Sequence, residues 1–229
     1  SASERFDSVM QDYNRAIIVG AATHGKSSAQ VILPLDENKD LGFAKLTIEK
    51  FYRPTGKSHQ ATGVIPDVII PSLYDNFETQ ECFSKFALIN DSITPTIKFI
   101  PRKKYSIVNL KSLSNTRIMA SQNFKNISKM NVQLLENYIH KNIDYPLTLE
   151  NIYKDINSYK ELWKWFNNTT NQDNEHFKFT NTNSTDQIIQ YDEAAMESNQ
   201  NILNDLSEDV ILQETHAIIL DLITSKTTH

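Results

Sequence analysis

The sequence predicts an α+β fold, in which a helix and mixed β-strands are followed by a mainly helical region. Two observations carry this prediction. Up to about residue 72, short β-branched runs alternate with segments of helical or twofold spacing, a pattern typical of strands and helices joined by short connections. From residue 73 onward, apolar residues recur at helical spacing within a polar sequence. We therefore expect two domains, residues 1–72 and residues 73–229.

The first region is predicted to start with a helix over residues 1–13. Its apolar side chains recur at helical steps, and Ser and Glu stand at its start, where helix N-termini favour them. Extended chain is then expected at residues 16–20, 29–35, 43–52 and 63–68. Residues 43–52 alternate apolar and polar side chains, which predicts a strand that is buried on one face.

The second region contains three helical patterns. Residues 113–141 are expected to form one long helix or two shorter ones. Residues 151–166 carry apolar side chains at steps of four, three, four and three, which predicts a helix with its stripe in the core. A last helix is expected to begin at Ser207, with acidic residues in its first turn. Residues 167–204 are rich in polar residues and predict a long exposed loop or a partly disordered segment.

Composition excludes several classes of function. The chain has 229 residues and a net charge of −5, so it lacks the basic excess of a general nucleic-acid binder. A single cysteine excludes an internal disulfide, and the six histidines are scattered without the spacing of metal ligands. We therefore expect no nucleic-acid partner, no metal and no cofactor. Because there is no initiating Met, we interpret the sequence as a fragment whose upstream part is missing.

Chemically useful side chains occur close together in the first thirty residues. Ser1 precedes the predicted helix, where amide groups and the positive end of the helix dipole can stabilise an oxyanion. Lys26 lies in a turn that leads into a strand, and Gln30 follows four residues later, on the same side of an extended chain. A lysine can act as a general base only if it is neutral. Spacing alone favours a structural interpretation, in which Ser1 only caps a helix and Lys26 is an ordinary surface lysine.

Several sequence blocks resemble the carboxy-terminal processing (tail-specific) peptidases. They occur in the order expected for that family and at consistent spacing: SASE at residues 1–4, QDYNRAIIVG at 11–20, THGKSSAQ at 23–30, KLTIEKFYR at 45–53 and GVIPDV at 63–68. A weaker resemblance at residues 117–124 and 212–222 is to the helical C-terminal domain of the long members. The resemblance implies a partial crotonase/ClpP-like protease core followed by that helical domain.

The resemblance also implies roles for five residues. Ser1 corresponds to the nucleophile, Lys26 to the general base, and Gln30 to the residue that orients the lysine. The backbone N–H of Ala2 would contribute to the oxyanion hole. Asp12 corresponds to an aspartate that is either functionally important or structural, and both interpretations stay open.

Two residues depart from the family pattern Thr-Phe-Gly-Lys-Gly. His24 replaces the aromatic residue, and Ser27 replaces the second glycine. A histidine beside the lysine also permits a Ser/His mechanism. The departures make it an open question whether the site is fully active.

By this resemblance, the protein is expected to cut proteins near their carboxy termini in the bacterial cell envelope or periplasm. Its partners would be protein substrates with unstructured C-terminal tails, and the resemblance leaves room for an adaptor protein and a homodimer. The fragment is expected to be inactive or nearly so by itself, since the family's PDZ domain, the first half of its protease core and its other oxyanion donor would lie upstream. The alternative is a non-catalytic interaction or regulatory module, or a pseudo-protease, whose helical region docks a partner.

Overall fold

The secondary structure is that of an α+β protein, as the sequence predicts. The computed structural model describes residues 1–140, 146–170 and 177–227. Within these ranges the helices are α1 Ala2–Asp12, α2 Val108–Ala120, α3 Gln122–Leu134, α4 Leu149–Thr170, α5 Asn183–Ile189, α6 Glu193–Glu208 and α7 Val210–Thr227. The strands are β1 Val19–Gly20, β2 Ser28–Pro34, β3 Phe43–Lys50 and β4 Val68–Ile69. No helix in the described ranges has the length and apolarity that crossing a bilayer requires.

The chain divides into two compact units. The first contains Ser1–Ile69 and Asp75–Ile107, and the second contains Ile70–Tyr74 and Val108–His229. Residues 75–107 thus pack with the first unit, whereas the sequence suggested a boundary near residue 72. This segment contains one short 3-10 turn, Glu81–Phe83, and is otherwise irregular, so it carries no periodic signal that could assign it to either unit.

Two small sheets form in the first unit. Strands β2 and β3 pair antiparallel, with Ser28 opposite Lys50, and β1 pairs with β4 in parallel. The strands expected at residues 29–35 and 43–52 are confirmed as β2 and β3, whereas only residues 19–20 of the 16–20 segment and Val68 of the 63–68 segment lie in strands. The predicted burial of one face of β3 is wrong, because Leu46 and Ile48 are both at least half exposed. In the described part of the chain the β2–β3 sheet has two strands only. Alternating apolar and polar residues identify the face of a strand that can be buried, but they do not show whether another part of the chain packs against that face.

The second unit is helical. Residues 113–141 were expected to contain one helix or two, and there are two. Ser121 separates them and caps α3 by accepting a hydrogen bond from the Phe124 amide. A π-helical turn, Leu135–Ile139, extends α3, and residue 141 lies outside the described residues. The core of this unit contains buried apolar side chains from α2, α3 and α7: Leu110, Phe124, Ile127, Met130, Leu134 and Ile218.

Helix α4 confirms the prediction for residues 151–166, but its apolar stripe is less buried than we expected. Ile152, Ile156 and Tyr159 are each at least 40% exposed. Along this stripe, Tyr159 and Trp163 pack edge to face, with ring centroids 6.1 Å apart, and Trp163 packs in the same way on Phe166. The regular spacing gave the helix correctly, because it is a local property. It did not give the burial, which depends on what packs against the stripe.

The predicted polar loop at residues 167–204 is wrong where the structure describes it. The segment contains the end of α4, all of α5 and most of α6, while residues 171–176 lie outside the described residues. Thr182 caps α5 and Asp192 caps α6 through side-chain oxygens that accept backbone amide hydrogen bonds. Polar residues supply these caps and solvated faces, so low hydrophobicity did not exclude helices. The last helix starts after Asp209, which accepts from the Ile211 and Leu212 amides, rather than at Ser207.

Arg117 joins α2 to α7 through two acidic residues. Its guanidinium contacts Glu214 at 2.8 Å and Asp221 at 2.8 Å, and Glu214 is buried. Replacement of Arg117 by methionine is expected to lower the free energy of unfolding by about 2–4 kcal/mol, because it leaves a buried carboxylate without its partner. Urea unfolding followed by tryptophan fluorescence measures this loss. The matched control Lys111→Met, at an exposed position of α2, is expected to change stability by less than about 0.5 kcal/mol.

Candidate active site

Ser1 caps helix α1 and lies against the backbone of Lys26. The Ser1 hydroxyl accepts a hydrogen bond from the Glu4 amide at 3.3 Å, and the Glu4 carboxylate accepts from the α-ammonium of Ser1 at 2.9 Å. These two reciprocal bonds form a capping box. The same α-ammonium donates to the Lys26 carbonyl oxygen at 2.5 Å. The start of α1 therefore lies beside the turn that carries Lys26.

The buried Glu4 carboxylate holds this turn in place. It accepts hydrogen bonds from the Thr23 hydroxyl at 2.5 Å, the Gly25 amide at 2.6 Å and the Lys26 amide at 3.3 Å. Burial acts to raise the pKa of Glu4, but the hydrogen bonds from Thr23, Ser1 and Gly25 outweigh it and lower the pKa from 4.5 to about 2. Glu4 is thus an anion at neutral pH and fixes the lysine turn to α1.

Two glycines let the lysine turn approach a second turn closely. Gly25 has a φ of +90°, and a Cβ atom there would lie 2.8 Å from the Gly63 nitrogen. Gly63 has a φ of +69°, and a Cβ atom there would lie 2.2 Å from the Thr23 carbonyl oxygen. Only glycine fits both the backbone angles and the space. The Ala61 amide donates to the Gly25 carbonyl at 2.7 Å, which ties the two turns together.

The Lys26 amine donates to the carboxylate of Glu81, at 3.2 Å. His24 Nε2 lies 3.4 Å from the other oxygen of Glu81, and the Gln60 amide donates to Glu81 at 3.3 Å. Burial acts to raise the pKa of Glu81, but the hydrogen bonds from Lys26 and Gln60 prevail, and its pKa lies below the usual value. Sequence reasoning missed Glu81, because an acid 55 residues from its partner leaves no local or periodic signal.

The imidazole ring of His59 is buried near Glu4. Among the described residues, neither of its ring nitrogens has a hydrogen-bond partner. Burial lowers the pKa of His59, and the nearby Glu4 carboxylate opposes that effect. His59 is therefore expected to be neutral at pH 7. Its position in sequence, in the turn next to Gln60, gave no indication of this.

An open cleft of about 490 Å³ runs beside α1. It is lined by Arg5 and Val9 of the helix, by the C-cap residue Tyr13, and by aromatic and apolar residues of the following segments, among them Phe51, Tyr52 and Ile93. Arg5 lies 5.1 Å from the centre of the Phe51 ring, in a cation–π contact. The cleft can accept an apolar side chain close to the helix that Ser1 caps.

Sequence comparison identifies the segment that forms this site. The model of Peptidase family S41 matches residues 1–70. We refer to these matched residues as the S41 segment. The chain is 42% identical over 99 residues to the "Tail-specific protease" of Haemophilus influenzae, a match that covers 41% of this chain and 14% of that protein. It is 39% identical over 82 residues to the "Carboxy-terminal-processing protease" of Bartonella bacilliformis, covering 34% of this chain and 18% of that protein. The matched part thus spans less than a fifth of either relative.

The S41 segment brings Ser1 and Lys26 together through their backbones. Their side chains have different partners: the Ser1 hydroxyl caps α1 and the Lys26 amine binds Glu81. No hydrogen bond between the two side chains occurs in the described part of the chain. His24 also contacts Glu81 and makes no hydrogen bond to Ser1 within the same residues.

The other residues that the resemblance indicates occupy separate places. Gln30 lies in β2 of the S41 segment and donates to the Thr47 hydroxyl at 3.1 Å, across the hairpin, rather than to Lys26. Asp12 pairs with Arg53 through both carboxylate oxygens and accepts from the Thr55 hydroxyl at 3.2 Å. This geometry is that of a residue that holds α1 to the chain after β3. Ala2 is the first residue of α1 and is exposed.

Ser27, which replaces the second glycine of the family pattern, is compatible with the turn. Its side chain is fully buried, and its hydroxyl donates to the Phe51 carbonyl at 2.6 Å. Its amide donates to the Gln60 side-chain oxygen at 2.7 Å. The serine therefore ties the residue after Lys26 to two neighbouring segments. The described residues contain no group of three or more His, Cys, Asp or Glu that could hold a metal ion.

Proposed function

We propose that the chain carries the nucleophile and the general base of a serine endopeptidase of the tail-specific type. Ser1 is the nucleophile and Lys26 is the base. The observation that carries the proposal is the 2.5 Å contact between the Ser1 nitrogen and the Lys26 carbonyl, made inside the segment that the model of peptidase family S41 matches. The names of the two bacterial relatives support cleavage near the carboxy terminus.

The proposed chemistry needs one change of partner at each side chain. The Lys26 ammonium loses its proton to solvent as it leaves Glu81. The neutral amine then takes the Ser1 hydroxyl proton while the serine oxygen attacks a peptide carbonyl. The developing oxyanion accepts from the Ala2 amide at the N-terminus of α1, where the helix dipole also favours negative charge. Lys26 then donates the proton to the leaving amine, and water hydrolyses the acyl-enzyme. In this scheme Gln30 orients the lysine in the active arrangement, and no metal or cofactor takes part.

The partners and location are part of the proposal. The substrates are proteins with unstructured C-terminal tails, one of whose apolar side chains the cleft beside α1 accepts. The protein acts in the bacterial cell envelope, with an adaptor protein or a second copy of itself as further partners. The 229-residue chain by itself is expected to be inactive or nearly so.

A non-catalytic role is the second candidate, and one observation favours it. The Lys26 amine binds Glu81, and an amine that stays paired with a carboxylate stays protonated and cannot act as a base. On this view the chain is a pseudo-protease, and the helical second unit docks a partner or regulates it.

Replacement of Ser1 by alanine tests the proposed function. In the complete polypeptide that contains this chain, Ser1→Ala is expected to lower kcat/KM for a protein with an unstructured apolar C-terminus by at least about a thousandfold. Product formation is measured by mass spectrometry, which also locates the cleavage site. The matched control Ser3→Ala, at an exposed position of α1, is expected to keep the activity. Undiminished cleavage by Ser1→Ala, or no cleavage by the unmodified protein, contradicts the proposal.

A further inference from the structure

Three side chains around the lysine turn contact the Glu81 carboxylate, two of them through hydrogen bonds. Lys26 and Gln60 donate to one carboxylate oxygen at 3.2 and 3.3 Å, and His24 lies 3.4 Å from the other. Glu81 is 8% exposed, while Lys26 is one-third exposed at its side chain. The carboxylate is therefore the fixed member of the pair, and the amine is the member that can move.

The backbone holds Glu81 against the same turn. Its amide donates to the His24 carbonyl at 2.8 Å, at the start of the 3-10 turn Glu81–Phe83. Gln60, which binds the carboxylate, also accepts from the Ser27 amide at 2.7 Å. Glu81 is thus connected to the residues on both sides of Lys26. A surface ion pair does not need these backbone and side-chain hydrogen bonds, since exposed pairs form between flexible side chains.

We propose that Glu81 is a positioning residue that holds the Lys26 amine and sets the pH at which this amine becomes a neutral base. The inference rests on the proposed function of Lys26. A carboxylate within hydrogen-bond distance favours the charged form of an amine. The amine can therefore accept a proton only after it has moved away from the carboxylate, or where another interaction overcomes the effect of that charge. On this proposal Glu81 has two effects. It directs the amine, and, as the pH decreases, it causes the activity to be lost at a higher pH than with an uncharged partner.

The other charged and titratable groups around the pair do not replace Glu81. His24 faces the same carboxylate from the lysine turn, while Glu4 binds the backbone of Lys26, not its amine. The α-ammonium of Ser1 pairs with Glu4, and His59 has a lowered pKa because it is buried, so it is neutral at pH 7. In the described part of the chain, Glu81 is thus the carboxylate that forms a salt bridge with the Lys26 amine.

The Glu81→Gln variant separates charge from position. Glutamine keeps an oxygen that can accept from Lys26 but removes the negative charge. The acid limb of the kcat/KM profile of the complete polypeptide is expected to move to lower pH, because the negative charge that favours the ammonium form of the amine is removed. The kcat on the plateau is expected to stay within tenfold of the unmodified protein. Glu81→Ala, which removes the acceptor too, is expected to move the limb equally and to lower kcat further.

The matched control is Glu78→Gln, which removes the same charge from an exposed position three residues earlier. It is expected to leave the pH profile unchanged. A merely structural role of Glu81 would lower activity at all pH values without moving the acid limb. An unmoved limb in a folded Glu81→Gln variant therefore overturns the inference.

A second measurement does not depend on activity. Competitive labelling of lysines with acetic anhydride over a range of pH, followed by mass spectrometry, reports how readily Lys26 reacts as a free amine. In Glu81→Gln, the Lys26 labelling profile is expected to move to lower pH relative to the other lysines. If Glu81→Gln does not fold, Glu81→Asp, which draws the carboxylate back by one methylene, is expected to shift labelling in the same direction by less. An unchanged labelling profile refutes the role of Glu81, whereas full activity in Ser1→Ala refutes the proposed function instead.

Discussion

Lys26→Ala is expected to lower kcat/KM by at least about a thousandfold in the complete polypeptide, while His24→Ala keeps at least a tenth of the activity. In the proposed mechanism the amine is the group that removes the serine proton. The turn that carries Lys26 is bonded to α1 through Ser1 and Glu4, so the lysine has a short path to the serine hydroxyl. His24 contacts Glu81 and is half exposed at its side chain.

The measurement is the rate of cleavage of an unstructured C-terminal tail at several substrate concentrations, so that kcat and KM are separated. Loss of the base is expected in kcat, with KM changed less than about threefold, since the amine acts in the transition state. Lys45→Ala, at an exposed position of β3, serves as the matched control. If cleavage survives in Lys26→Ala but disappears in His24→Ala, the Ser/His mechanism replaces the Ser/Lys mechanism.

The contact between Lys26 and Glu81 separates the two candidate functions. For a protease, the arrangement with Lys26 on Glu81 is a resting state, and the amine must move to the serine when substrate binds. For a pseudo-protease, the pair is permanent. A side-chain salt bridge that is one-third exposed on the lysine side is of the weaker kind, because water screens it. This physical argument favours an amine that can leave its partner.

Local periodicity predicted four of the helices and strands. Helix α1, strands β2 and β3 and helix α4 each have a spacing that a window of ten residues reveals, and all four are present. The capping box at Ser1 is also a local signal, since its members are three residues apart. The pairing of Ser1 with Lys26 was predicted from the family resemblance rather than from spacing, because a helix cap and a turn 25 residues later have no periodic relation.

Partners that are distant in sequence could not be predicted. The hydrogen bonds of Lys26 to Glu81 and of Asp12 to Arg53 join residues 55 and 41 positions apart. The first pair depends on how the irregular segment after β4 folds back, and the second depends on the path of the chain after β3. A single sequence gives no signal for either. Burial failed for the same reason in β3 and α4, where the pattern marks an apolar face without indicating what covers it.

The prediction for residues 167–204 failed for a different reason. A low apolar content was taken to exclude regular structure, yet helix caps are themselves polar. Thr182 and Asp192 stand where α5 and α6 begin, and each accepts a backbone amide hydrogen bond. A search for cap residues followed by good helix formers would have found α6, since Glu, Ala, Met and Gln dominate its first half.

Replacement of Glu4 by glutamine is expected to lower the free energy of unfolding of the first unit by about 3 kcal/mol at pH 7, because hydrogen bonds to a buried charged group each contribute about 1.5–3 kcal/mol. The carboxylate accepts from Thr23, Gly25 and Lys26 as well as from the Ser1 α-ammonium. A glutamine side chain has only one oxygen to accept from these donors, and its NH₂ group would lie against another donor without forming a hydrogen bond. The lysine turn therefore loses its attachment to α1, and activity is expected to fall with it.

Both tryptophans lie in α4, in the second unit, so their fluorescence does not report this loss. Hydrogen exchange is the suitable measurement, because the Gly25 and Lys26 amides donate directly to Glu4. Both amides are expected to exchange at least about a hundredfold faster in Glu4→Gln, as a loss of about 3 kcal/mol implies. The exposed substitution Glu37→Gln, in the β2–β3 connection, is expected to change neither rate.

The pH dependence gives a second test with a definite sign. The pKa of Glu4 falls from 4.5 to about 2 on folding, so its contribution to stability is complete above about pH 5 and is lost as the pH falls from about 4.5 toward 2. The difference in Gly25 exchange between the unmodified protein and Glu4→Gln, each corrected for intrinsic exchange, should therefore be large at pH 6 and should narrow toward pH 3. A difference that stayed constant over this range would mean that the glutamine disturbs packing, and that the charge of Glu4 does not hold the lysine turn.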